Sequence, residues 1–172
     1  RKSFIFISLL SVLNLTTFYF GGVTAAEVNN TEARLTLWNF QSIDTMKFSR
    51  DLSREKLGDI SFKKEIELQM KTIAATGATH VAIGTPYDEE FFPILKRWVD
   101  EARKNGLKVW FRGNFSGWEG WFGYPKFSDI NEHHQKIYSF IIKHSDIFQA
   151  GDIFTPVPEP ENGVIGDPRN SK

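Results

Sequence analysis

The chain has 172 residues, 41% of them apolar and 24% charged, and its 21 Lys and Arg are balanced by 21 Asp and Glu. That composition belongs to a folded globular protein and excludes a disordered tail or a collagen-like repeat. A net charge of zero without a basic run leaves no electrostatic footprint for nucleic acid, and the absence of cysteine excludes disulfide scaffolds, thiolate zinc sites and Cys nucleophiles.

Arg1, Lys2 and Ser3 precede an apolar stretch over residues 4–20, and Gly21-Gly22-Val23-Thr24-Ala25-Ala26 follows it. A basic start, an apolar run and small residues are the three parts of a secretory signal peptide, here cut after Ala25 or Ala26. The run from Phe4 to Val23 is almost long enough to span a bilayer, so an uncleaved anchor is the alternative. Either way residues 1–26 are set apart from a folded part, 27–172, which is expected to be secreted or extracellular and to meet a membrane only through that segment.

Residues 34–40 alternate and are rich in strand formers, which predicts a first strand. A long, polar connection follows, charged over 47–56. In 62–76, Phe62, Ile66, Met70 and Ile73 fall at helical spacing, and Gly77 stops the helix. Residues 79–84 form a short apolar run between glycines, read as a buried strand. Asp88 is placed to cap a second helix in which Phe91, Leu95, Trp98, Val99 and Ala102 share a face, closed by Asn105-Gly106. Residues 107–113 make a third strand. Past a loop rich in aromatic residues and Gly, Ser128 opens a third helix with Ile130, His134, Ile137, Ile141 and His144 on one stripe, and residues 152–157 make a fourth strand.

Strands alternating with helices predict an α/β fold with a parallel sheet. An open doubly wound sheet that binds nucleotides wants a Gly-rich turn between its first strand and helix, and 41–47 has none. The polar and aromatic residues collect instead just after each strand, where (β/α)8 barrels build their sites. The expected fold is therefore a TIM barrel. A whole barrel takes about 250 residues, so residues 27–172 are read as its N-terminal half, truncated after about the fourth strand.

Val157-Pro158-Glu159-Pro160, at the end of the predicted fourth strand, resembles the Asn-Glu-Pro signature of the retaining glycoside hydrolases of clan A, which are (β/α)8 barrels. The resemblance implies that Glu159 is the general acid/base and that the nucleophile, a second Glu after strand seven, lies beyond Lys172. Pro158 stands where the clan has an Asn that helps to hold the sugar 2-hydroxyl.

The chemistry itself asks for such groups. Cleaving a glycosidic bond with retention needs one carboxyl to protonate the leaving oxygen and a carboxylate about 5 Å away across the anomeric carbon. Glu159 and Glu161 lie two residues apart on one segment, so they are not the opposed pair. Glu159 points inward if the strand alternation continues, and Glu161 orients it or touches sugar. Asn162 is grouped with them.

The chain carries 16 Phe, 5 Trp and 4 Tyr, and Trp118, Trp121, Phe122 and Tyr124 crowd one Gly-rich loop. Rings at a cleft rim offer faces on which the C–H side of a sugar stacks. The alternative is a satellite core in which the loop packs its own rings, and one Trp packed with one presented satisfies both. Arg112, ending the third strand, is placed to hold a carboxylate by a bidentate pair or to pair structurally with Asp88 or Glu119. Trp38 and Asn114 are further substrate-binding candidates.

Histidines do not form a metal site: His133 and His134 are adjacent on a helix and point about 100° apart, while His80 reads as a satisfied core residue. No metal or other cofactor is expected. The sequons at Asn29 and Asn114 decide nothing by themselves. The expected function is hydrolysis of O-glycosidic bonds in an oligo- or polysaccharide. The alternatives are a non-catalytic carbohydrate-binding barrel and another barrel enzyme such as a sugar isomerase, which would want His and Asp at its strand ends.

Overall fold

A computed structural model describes residues 39–167 and residue 169. The leader over 1–26, most of the strand expected over 34–40, Trp38 and the sequon at Asn29 lie outside the described residues.

Four parallel strands form one sheet in the sequential order β1 (Ser42–Asp44), β2 (His80–Ile83), β3 (Lys108–Phe111) and β4 (Ile153–Phe154). Between them run α1 (Met46–Ser49), α2 (Ser53–Lys56), α3 (Phe62–Ala75), α4 (Phe92–Lys104) and α5 (Ile130–Lys143). The described residues thus form an α/β fold with a four-stranded parallel sheet.

The pleat sends alternate side chains to opposite faces. Val81 and Ile83 of β2 and Val109 and Phe111 of β3 join one apolar core with the buried stripes of three helices. Phe62, Ile66, Met70 and Ile73 come from α3, Leu95, Trp98, Val99 and Ala102 from α4, and Ile137 and Phe140 from α5. Residues of the other parity, Ser42, Asp44, His80, Ala82 and Trp110, form the opposite face. There Phe40 lies 4.5 Å from the His80 ring and 5.9 Å from that of Trp110. His80 is satisfied, with Nδ1 2.8 Å from Thr79 Oγ1 and Nε2 3.0 Å from the Gly151 carbonyl.

Helices α3 and α4 match their periodicity. The first begins where Asp59 Oδ1 accepts from the Ser61 and Phe62 amides, and the second ends at Gly106, whose φ of 72° suits glycine. Four expectations are corrected. Among the described residues the first strand is Ser42–Asp44, inside the stretch read as a connection. Its single apolar residue leaves no hydrophobic pattern, and it is held by pairing with β2 and by Thr45, whose amide and hydroxyl both donate to the Ala82 carbonyl (3.0 and 2.8 Å). Asp129, not Ser128, caps α5 by accepting from the Asn131 amide at 2.9 Å. The buried histidine of that helix is His133, so His134 is not on the core stripe. The fourth strand stops at Phe154, one further bond running from the Thr155 amide to the Phe111 carbonyl, because Pro156 and Pro158 have no amide hydrogen to donate.

Candidate active site

The segments that follow the strands meet at the C-terminal edge of the sheet. Buried hydroxyls tie the first of them down: Ser49 Oγ accepts from the Gly84 amide (3.0 Å), and Thr85 Oγ1 donates to the Ser49 carbonyl (2.9 Å). Beyond β3 the chain passes so close to the loop after β2 that a Cβ on Gly113 would lie 2.3 Å from the Thr85 carbonyl oxygen. The Gly113 amide donates to Tyr87 Oη (2.9 Å), and burial holds that phenol far above its usual range. Asp88 does not cap the helix that follows it with its side chain. Its Oδ2 accepts instead from the Ser116 amide (2.7 Å), joining the loop after β2 to the aromatic loop.

Arg112 continues the ladder through its amide, which donates to the Ile83 carbonyl, and has the parity of Trp110. Its guanidinium sits 5.6 Å from the Trp110 ring, whose indole nitrogen donates to Thr155 Oγ1 (2.7 Å). Nη1 donates to Asp44 Oδ2 at 2.7 Å and Nη2 to Glu159 Oε1 at 3.4 Å. The arginine thus bridges two carboxylates from different strand ends. This replaces both the bidentate pair with one carboxylate and the pairing with Asp88 or Glu119.

Glu159 lies between Pro158 and Pro160 in the left-handed region, φ 50° and ψ 61°. A non-glycine residue there stores about 1–3 kcal/mol of strain, the kind of departure that gathers at functional sites. Asn162 compensates: its amide donates to the Glu159 carbonyl and its Nδ2 to Glu159 Oε2, both at 3.0 Å. Asn162, rather than Glu161, is the residue that orients Glu159; Glu161 is exposed.

The aromatic loop divides its rings. Trp118 is 0% exposed, packed 4.3 Å from the His133 ring and so close to Gly163 that a Cβ there would overlap its indole. It has no face for a sugar, which corrects that expectation. Asn114 is likewise 0% exposed, its Oδ1 accepting from the Phe115 amide (3.0 Å) and facing His133 Nε2 (2.5 Å). It is neither a substrate contact nor, in this fold, a glycosylation acceptor. Trp121 is half-buried, with the Arg50 guanidinium 4.7 Å over its ring. Tyr124 donates to Glu90, which also receives both terminal nitrogens of Arg54 at 2.9 Å.

Three participants were not singled out as site residues from the sequence: Asp44, Arg50 and Glu119. Burial raises the Glu119 carboxyl above its ordinary range; Arg50 opposes this, Glu159 adds to it by like charge, and a hydrogen bond from Trp121 opposes it again. Glu119 therefore shares an electrostatic environment with Glu159. The same rule that singled out the residues after the other strands would have found Asp44, had the first strand been placed at 42–44.

Among the described residues there is no group of three or more His, Asp or Glu able to hold a metal ion, and no helix long and apolar enough to cross a membrane. No family model matches the chain, and no curated protein or solved structure is found to be similar to it.

Proposed function

We propose that the described residues form the front half of a (β/α)8 glycosidase acting on an oligo- or polysaccharide, with Glu159 as its acid/base. One observation carries the reading: a strained glutamate at the C-terminal edge of a parallel sheet has one carboxylate oxygen on Arg112 and the other on Asn162. Sequential strand order with one apolar core on the helix side supports the barrel, since a doubly wound sheet reverses its order at a switch point.

In the reaction Glu159 gives its proton to the glycosidic oxygen as the anomeric C–O bond breaks and the electron pair leaves with that oxygen. The opposing carboxylate, which the second half of the barrel would bring, forms the glycosyl ester. Glu159, now a carboxylate, takes a proton from the water that cleaves the ester and returns to its starting state. Trp121, half-buried where Trp118 is sealed, is the ring this reading assigns to a sugar from the aromatic loop, and a secretory leader over 1–26 would match a polysaccharide met outside the cell.

The test is hydrolysis of nitrophenyl glycosides and soluble polysaccharides by the protein translated from the complete reading frame. Glu159→Gln should lower kcat/KM on polysaccharide by about 10²–10⁴ and much less on substrates whose leaving group needs no proton. Sugar binding without turnover, unchanged by the substitution, would replace this reading with a non-catalytic carbohydrate-binding barrel.

A further inference from the structure

Arg112 raises a chemical difficulty that its second partner resolves. A general acid must be aimed at the leaving oxygen, and a guanidinium 3.4 Å away helps to aim it only if that guanidinium is itself held in place. The guanidinium is not uncompensated. Asp44 takes it at 2.7 Å, closer than Glu159 does, and holds it in a fixed orientation. Asp44 is itself fixed, because its other oxygen accepts from the Met46 amide at 2.6 Å at the start of α1. The three groups come from the ends of β1 and β3 and from the loop after β4, so this order exists only when the sheet is formed.

We propose that Asp44 is a positioning residue for Glu159 that acts through Arg112: it fixes the guanidinium, and the fixed guanidinium together with Asn162 holds the Glu159 carboxyl in one orientation toward the leaving oxygen. The proposal rests on the glycosidase reading for its purpose, although the positional coupling stands or falls by itself. The groups facing this cluster are Arg112 from the end of β3, Asn162 from Glu159's own loop and, at longer range, Glu119 from the aromatic loop, itself faced by Arg50 and Lys126. Asp44 and Glu159 are each about two-fifths exposed, so water and salt screen the effect and keep it modest.

The informative variant is Asp44→Asn, which keeps an oxygen for the Met46 amide and removes only the charge. It loosens the guanidinium, and with it the Glu159 carboxyl, and should lower kcat on polysaccharide roughly threefold with KM little changed, and much less on substrates whose leaving group needs no proton. In an Arg112→Gln background the same substitution should lower kcat little further. Carbon-13 NMR of the Glu159 side chain at one fixed pH, identified by its loss in Glu159→Gln, reads the coupling without turnover: Asp44→Asn should broaden or displace that resonance, and should do so less in Arg112→Gln. Failure of the wild-type protein to hydrolyse any glycoside, with the resonance still changed, would sink the glycosidase reading and leave the coupling intact. An unchanged resonance, or a change as large without Arg112, would overturn the proposal whatever the enzyme does.

Discussion

The two faces of the sheet are built from alternate residues of the same strands, and they differ in kind. On the helix side Val81, Ile83, Val109 and Phe111 are sealed beneath Trp98, Met70 and Phe140. On the other face, and at the C-terminal edge, Asp44, Arg112 and Glu159 are partly exposed and held by charge-assisted hydrogen bonds. One pleat thus separates the residues that stabilise the fold from those of the proposed site. The site's precision is borrowed from a core it does not touch.

The sharpest way to break the comparison is to exchange burial for exposure within one residue type. Trp98 is 0% exposed in the helix-side core, edge-on to Phe62 at 6.0 Å, and Trp98→Ala should cost about 3–5 kcal/mol. Trp121→Ala removes a half-buried ring with the Arg50 guanidinium over its face and a hydrogen bond to Glu119, and should cost about 1–2 kcal/mol. Urea denaturation of the two variants measures both. Equal losses would mean that the aromatic loop belongs to the core and is no rim.

A second test lies at the seam, where a titratable group is buried beneath the aromatic loop. The Phe115 amide already donates to Asn114 Oδ1, so that oxygen accepts and His133 Nε2 is the donor. Nδ1 is then the bare nitrogen, buried and without a partner, and protonating it would bury an unpaired charge. Burial, assisted by His134, accordingly pushes this histidine down to about 4 from 6.5. Between those values the unfolded chain binds a proton that the native chain does not. Stability from this group is therefore whole above pH 6.5 and drains as pH falls toward 4, at up to about 1.4 kcal/mol per pH unit. His133→Gln should flatten that slope in a pH series of urea midpoints; an unchanged slope would show that another group drives the acid sensitivity.

The same seam explains what was legible in the sequence. Helices α3 and α4 could be read almost to the residue because long apolar stripes with glycine stops repeat the burial pattern directly. The three-residue strand β1 could not, since Ser42-Ile43-Asp44 carries one apolar side chain and is fixed by partners 38 residues away. His134 was placed on the buried stripe in place of His133 because the two differ by one residue and share a side chain. Glu159 and Arg112 were found from position after a strand, and Asp44 was missed because the strand it ends was missed. Trp118 and Trp121 look alike in sequence, and only the closeness of His133 and Gly163 separates the packed ring from the presented one.

The smallest effect probes the edge of the sheet alone. Glu159 occupies the left-handed region between two prolines, a conformation that glycine adopts without penalty and alanine does not. Glu159→Ala and Glu159→Gly both remove the carboxylate and its bonds to Arg112 and Asn162, so the difference between them isolates the backbone. Glycine should be the more stable of the two by roughly 1 kcal/mol, its greater freedom in the unfolded chain offsetting part of the relieved strain. Paired thermal or urea melts decide it. A glycine variant no more stable than the alanine variant would mean that the loop relaxes to an ordinary conformation once the carboxylate is gone, and that the bonds to Arg112 and Asn162, not the prolines, hold residue 159 in its strained state.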